Sequence, residues 1–127
     1  MAKRPPVAKS ELEVVQIVWQ LGEASVRQVL EALPAQRKLD FKTVQTYLRR
    51  LEAKGYLRTR RDGRAKLYAP RVRPDQVVRE VVDDLVHRLF AGESLPLFQH
   101  LIQDRGLTDA EIGQLRSMLK ELEDRKP

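Results

Sequence analysis

The feature that most constrains this chain is the dipeptide Asp62-Gly63, set between the short runs Tyr56–Arg60 and Ala65–Ala69. Glycine accepts the positive φ that tight hairpin turns demand, so Asp-Gly between two short extended runs signals an antiparallel ribbon. Elsewhere the sequence reads as helix, and a lone two-stranded ribbon is marginal in water. The hairpin must therefore lean on helices. With side chains alternating along each run, Leu57 and Thr59 share one face of the first, while Ala65, Leu67 and Ala69 share one face of the second.

Three short helices are expected before it. "SELEVVQIVWQLGEAS" opens with Ser10 and Glu13 at capping-box spacing and continues with Leu12, Val15 and Trp19 on one side. That predicts a helix from about Glu11 to Leu21, stopped at Gly22, with Trp19 in the core. Ser25 and Gln28 repeat the device, Val26, Val29, Leu30 and Leu33 face inward, and Pro34 ends the second helix. After the loop "AQRKL", Asp40 suits the N-cap of a third helix, and Lys54-Gly55 suits its stop. Three helices and a hairpin in this order make a winged helix-turn-helix.

The third helix carries an unusual outer face. With Val44 at the centre of a wheel advancing about 100° per residue, Tyr47, Leu48 and Leu51 fall within about 60° and form the core stripe. Lys42, Gln45, Thr46, Arg49 and Ala53 point directly away, with Thr43 and Arg50 on one flank. An ordinary solvent face mixes Glu with Lys. This one mixes cations with hydrogen-bonding groups, the side chains that hold phosphates and read base edges. The hairpin adds Arg58, Arg60, Arg61, Arg64 and Lys66 against the single acid Asp62. Two or three of these five are expected on DNA, with Arg60, Arg61, Arg64 and Lys66 as the candidates, whether through phosphates alone or in a minor groove. Ser25 caps its helix, and a capped N-terminus facing a duplex can also hold a phosphate. A winged helix that binds protein would instead show exposed aromatics or Leu on the third helix, and a sequence-nonspecific architectural binder would use the charge without the base-reading groups.

The net charge of +6 conceals an asymmetry. Residues 1–73 carry 17 Lys+Arg against 7 Asp+Glu, whereas residues 74–127 carry 7 against 11. A basic part joined to a mildly acidic one suggests that only the first meets a polyanion. We therefore divide the chain into a winged-helix DNA-binding domain, residues 1–73, and a helical dimerisation domain, residues 74–127.

The second part opens at Pro74 with a long helix carrying Val77, Val78, Val81 and Val82, then Leu85, Val86, Leu89 and Phe90. These cover an arc of roughly 220°, far wider than the stripe of about 100° needed to pack on one core. "LPLFQHLI" adds Leu97 and Leu101, and Thr108 with Glu111 caps a last helix that lines up Ile112, Leu115, Leu119 and Leu122. So few residues make a poor core alone. The arrangement predicts an arm in which the helices of two chains interlock; a monomer whose last helices fold back on the winged helix is the alternative.

Other classes of function find little support. There is no cysteine, which excludes disulfides, thiolate metal sites and thiol catalysis. His87 and His100 fall on different helices without a third ligand at fixed spacing, so no metal is expected. No nucleophile elbow or glycine-rich phosphate loop is present, and the chain reads as neither an enzyme nor a cofactor binder. No apolar run reaches the roughly 20 residues of a membrane span, and "MAKRPPVAKS" lacks an apolar region behind its charges. A cytoplasmic protein without membrane insertion is expected.

From about Ser10 to Leu122 the chain resembles the penicillinase-repressor family, the repressors of beta-lactamase and methicillin-resistance genes, through "ELEVVQIVW", "TVQTYLRRLEAKGYL" and "LYAP". The resemblance implies a homodimeric bacterial repressor that binds palindromic operators on double-stranded DNA. It implies base and phosphate contacts at Lys42, Thr43, Gln45, Thr46 and Arg50; Arg49 is added from its direction on the wheel. It also implies induction by a protease pathway linked to a membrane sensor, which cuts an Asn-Phe bond. Alignment puts that bond near His100-Leu101, and the sequence contains no Asn, so either the cut differs or control differs. Copper-responsive relatives end in paired Cys motifs, which this chain lacks.

Overall fold

The computed structural model describes residues 4–126. Met1–Lys3, the first residues of the stretch read for targeting, lie outside them. Six α-helices and one hairpin follow in the order α1 Lys9–Leu21, α2 Val26–Ala32, α3 Phe41–Ala53, β1 Leu57–Asp62, β2 Ala65–Pro70, α4 Pro74–Phe90, α5 Leu95–His100 and α6 Asp109–Arg125. A single π-type turn, Leu101–Arg105, continues α5. The chain divides into two compact units, one ending at Val81 and the other beginning at Val82. No helix among the described residues is long and apolar enough to cross a membrane.

Unit 1 is the winged helix. Its core takes Val14, Val15 and Val18 from α1, Val29 from α2, Val44, Leu48 and Leu51 from α3, and Leu57 and Tyr68 from the strands. Each fully buried Leu contributes about 1.5–3 kcal/mol relative to exposure. Trp19 lies at the rim of this core, half-buried, rather than inside it. The caps of α2 and α3 form as their sequences require: Ser25 Oγ accepts from the Gln28 amide at 3.2 Å, and Asp40 Oδ1 accepts from the Thr43 amide at 2.8 Å.

Two local expectations need correction. Helix α1 starts at Lys9 on Ala8, and its capping carboxylate is Glu11, whose Oε1 accepts from the Ala8 amide at 2.9 Å. Ser10 and Glu13 are not its box, because Glu13 turns outward to meet Arg37 at 2.7 Å, while Glu11 is drawn inward by Lys54 at 2.6 Å. The strands pair Asp62 with Ala65, so the two-residue turn is Gly63-Arg64, with Gly63 at φ +64. The register sets Leu57 and Thr59 across from Pro70 and Tyr68, while Ala65, Leu67 and Ala69 share the other face of β2, as the alternation predicts; Tyr68 and Ala69 are both buried. Tyr68 is held by a bridge to Ala24, whose amide donates to Tyr68 O at 2.9 Å and whose carbonyl accepts from Tyr68 N at 2.8 Å. This bridge is how the ribbon leans on the helices.

Unit 2 comprises the rest of α4 with α5 and α6. Thr108 caps α6, its Oγ1 accepting from the Glu111 amide at 3.1 Å, as the sequence predicts. The apolar side chains here are left open: of the described residues of unit 2, Val86 alone is buried. Val77, expected in the dimerisation set, instead packs in the core of unit 1, because the first turns of α4 lie against the winged helix.

Candidate nucleic-acid interface

Helix α3 packs on α1 and α2 through Val44, Leu48 and Leu51, and this fixes which side faces out. Lys42, Arg49 and Arg50 are exposed, while Thr43, Gln45 and Thr46 are half-buried between them. Among the described residues no carboxylate pairs with Lys42, Arg49 or Arg50, and nothing bonds the Gln45 amide. Thr46 Oγ1 donates to Lys42 O at 2.9 Å, the bond of a helical hydroxyl to the preceding turn. With its proton spent there, Thr46 offers outward an acceptor oxygen and a methyl group. Thr43 is committed differently. Hydrogen bonding from its side chain, then from its amide, with Lys42 adding a weaker attraction, holds the Asp40 carboxyl below the ordinary Asp range.

The wing separates into a tied root and a free tip. Arg60 makes a two-pronged pair with Glu23, both contacts at 2.7 Å, which holds the Glu23 carboxyl below its ordinary range. Lys66 Nζ lies 3.5 Å from Glu52 of α3 and 5.2 Å from the centre of the Tyr68 ring. Glu52 also accepts from Thr59 Oγ1 at 2.9 Å, so it pins both strands to α3. Arg60 and Lys66, both expected on DNA, thus have partners in their own chain. Arg61 and Arg64 have none among the described residues, while Arg58 adds a weaker attraction to Glu23. Ser25 is engaged in its cap, its amide donating to Gln28 Oε1 at 2.8 Å while its Oγ accepts in return.

One residue of this surface escaped the pattern reading. Phe41, first in α3, is 42% exposed at the head of that helix. On the wheel it falls about 60° from Val44, which reads as core. Its place in the first turn, ahead of the helices that would cover it, was the available signal.

Residues 7–121 match the penicillinase repressor family. The chain belongs to that family. Among other members of the penicillinase repressor family, the transcriptional regulator BlaI of Mycobacterium tuberculosis is 37% identical over 97% of this chain and 89% of its own length. The penicillinase repressor of Bacillus licheniformis is 27% identical over 99% of this chain and 98% of its own. The solution structure of the monomeric form of Bacillus licheniformis BlaI in complex with the blaP half-operator is 32% identical, with a TM-score of 0.50, over 59% of this chain and 92% of that one. For a member of this family, α3 and the hairpin correspond in fold to the recognition helix and wing of a winged-helix repressor.

Proposed function

We propose that this protein is a homodimeric transcriptional repressor that binds a palindromic operator. The observation that carries the reading is the outward face of α3, where Lys42, Gln45, Thr46, Arg49 and Arg50 stand together without a paired carboxylate among the described residues. In a major groove, Gln45 and the Thr46 oxygen and methyl would meet base edges, while Thr43, Lys42, Arg49 and Arg50 would hold phosphates or flank the bases. Arg61 and Arg64 at the wing tip would reach the neighbouring backbone. Arg60 and Lys66 would brace the wing, and Ser25 would act as a cap.

Dimerisation is supported by what α4 and unit 2 leave uncovered. Leu89 is 67% exposed and Val78, Val81, Val82 and Leu85 of α4 are also open, as are Leu101, Ile112 and Leu119; Phe90, Leu97 and Leu115 are half-covered. Large apolar side chains left open in this number mark an interaction surface. A two-fold pair covers it with its own copy and doubles the base contacts, one half-site per winged helix. Relief of repression cannot follow a cut at an Asn-Phe bond, because the chain has no Asn.

The test is selection: the purified protein is equilibrated with a genomic fragment library and the bound fragments are sequenced. A few fragments sharing an inverted repeat, bound with an affinity that falls by about 10³-fold or more between about 50 and 200 mM salt, are expected. Uniform recovery would leave an architectural binder, and no recovery would turn the α3 face into a protein-binding surface.

A further inference from the structure

The segment ahead of α1 is tied down at three points that DNA contact does not explain. Tyr56, at the start of the wing, donates its hydroxyl to Pro5 O at 2.6 Å. Lys54, at the end of α3, donates to Pro6 O at 3.1 Å and pairs with the buried Glu11 at 2.6 Å. Arg4 lies over the Tyr56 ring, 5.5 Å from its centre, and its Nη2 reaches both oxygens of Glu80 in α4, at 2.6 and 2.8 Å. Gln76, one turn earlier in α4, donates to the same carboxylate at 3.3 Å. Arg4 also fills the space over Gly55, where an added Cβ would stand 3.4 Å from its Cδ; Gly55 has φ +93, so glycine suits this position on two counts. The prolines Pro5 and Pro6 narrow the unfolded ensemble of the strap and lower the entropy lost in fixing it.

These contacts connect the C-terminal end of the recognition helix to the first turns of α4, both within unit 1. Between Pro70 and Pro74 the chain itself offers only a short link. Val77 supplies one apolar anchor for α4 in the core, and a single anchor leaves a helix free to pivot. Glu80, one turn further, lies where a second anchor resists that pivot. Beyond it, α4 runs unbroken to Phe90.

We infer that Arg4 and Glu80 are positioning residues: the strap fixes the direction in which α4 leaves the winged helix, and so sets the half-site spacing that the protein accepts. This rests on the dimeric operator reading proposed above. The role assigned to the strap requires no DNA contact of its own. Its effect on operator binding arises because two half-sites act together only when both recognition helices are presented at the right separation, an effective-concentration term.

The test uses full-length protein and synthetic duplexes carrying the selected inverted repeat, its spacer native or lengthened by one or two base pairs, together with a single half-site. Arg4→Ala and Glu80→Gln cut the same bond from opposite sides, and each is first checked by thermal melting in the absence of DNA. The expected result is half-site affinity within about twofold of the unmodified protein, with the preference for native over lengthened spacing reduced about tenfold by either substitution. Undiminished spacing preference in both variants overturns the strap proposal while leaving the repressor reading intact. An equal loss of half-site and full-site affinity also overturns it, because that result describes a strap that only stabilises the fold. An unmodified protein indifferent to spacing overturns the dimeric reading itself.

Discussion

Replacing Glu11 and Lys54 by Met, singly and together, tests the one charged residue buried among the described residues of the winged helix. Glu11 is 1% exposed, and its Oε1 accepts both Lys54 Nζ at 2.6 Å and the Ala8 amide at 2.9 Å. Breaking a buried pair costs about 3–5 kcal/mol when the remaining charge stays buried. The Lys54 side chain is 23% exposed and keeps Pro6 O, so its ammonium can turn to water, which puts the charge part near the lower limit, about 3 kcal/mol. Loss of the bond to Ala8 removes a helix cap and adds about 1 kcal/mol. Glu11→Met should thus destabilise by about 4 kcal/mol, a large fraction of the 5–15 kcal/mol typical of a small protein. Lys54→Met should cost about 3 kcal/mol, because it strands a carboxylate in the core. The double variant should lie within about 1 kcal/mol of the unmodified protein, since an apolar pair of similar volume replaces a buried ion pair at little cost. Urea unfolding followed by circular dichroism reads all three, with m unchanged and the midpoint shifted. Additive single effects, or a Glu11→Met loss below about 1 kcal/mol, would refute the claim that this pair is buried and coupled.

Val81→Asp sets a charge on a half-open apolar position of α4, and sedimentation should show the dimer dissociating; a dimer that persists would remove α4 from the interface. Thr46→Ala should lower the preference for operator over random DNA, whereas Arg61→Ala should weaken both about equally; identical behaviour would dissolve the division between reading and holding. Arg64→Ala should reduce the slope of log affinity against log salt by about one, while Arg60→Ala should leave it nearly unchanged, because Arg60 already has its counter-charge in Glu23. Equal slope changes would refute the division of the wing. The Asp40 carboxyl is held below its ordinary value of 3.8, so the cap's contribution to stability is present above that pH and is lost as pH falls through the depressed folded value; an NMR titration midpoint at or above 3.8 would contradict the Thr43 bonds.

What could be read from the sequence was what neighbours in sequence decide. The caps at Ser25, Asp40 and Thr108 depend on residues three positions away, and all three form. The stripe of Val44, Leu48 and Leu51 follows from helical period alone. The cap of α1 was misread because Glu11 is chosen by Lys54, a partner 43 residues distant, and no local pattern distinguishes it from Glu13. The place of Tyr68 in the core is also set at a distance, where a bridge joins it to Ala24. Val77 and Val78 look alike in a list of apolar residues, yet one is 2% exposed and the other 50%, because only the first faces the core of unit 1.

The same reasoning sorts the candidate interface. A count of cations made the wing a uniform basic cluster, and the acids that divide it lie elsewhere in the chain, Glu23 before α2 and Glu52 in α3. To take a phosphate, Arg60 would have to surrender a two-pronged bond to Glu23, so the gain is an exchange of one anion for another. Arg61 and Arg64, without a partner among the described residues, have no such bond to exchange. On α3 the contrast is between Thr43, engaged at the Asp40 cap, and Gln45, whose amide has no partner among the described residues. Site residues therefore differ from their neighbours less in type than in what the rest of the fold has left unpaired, and that property follows from tertiary structure.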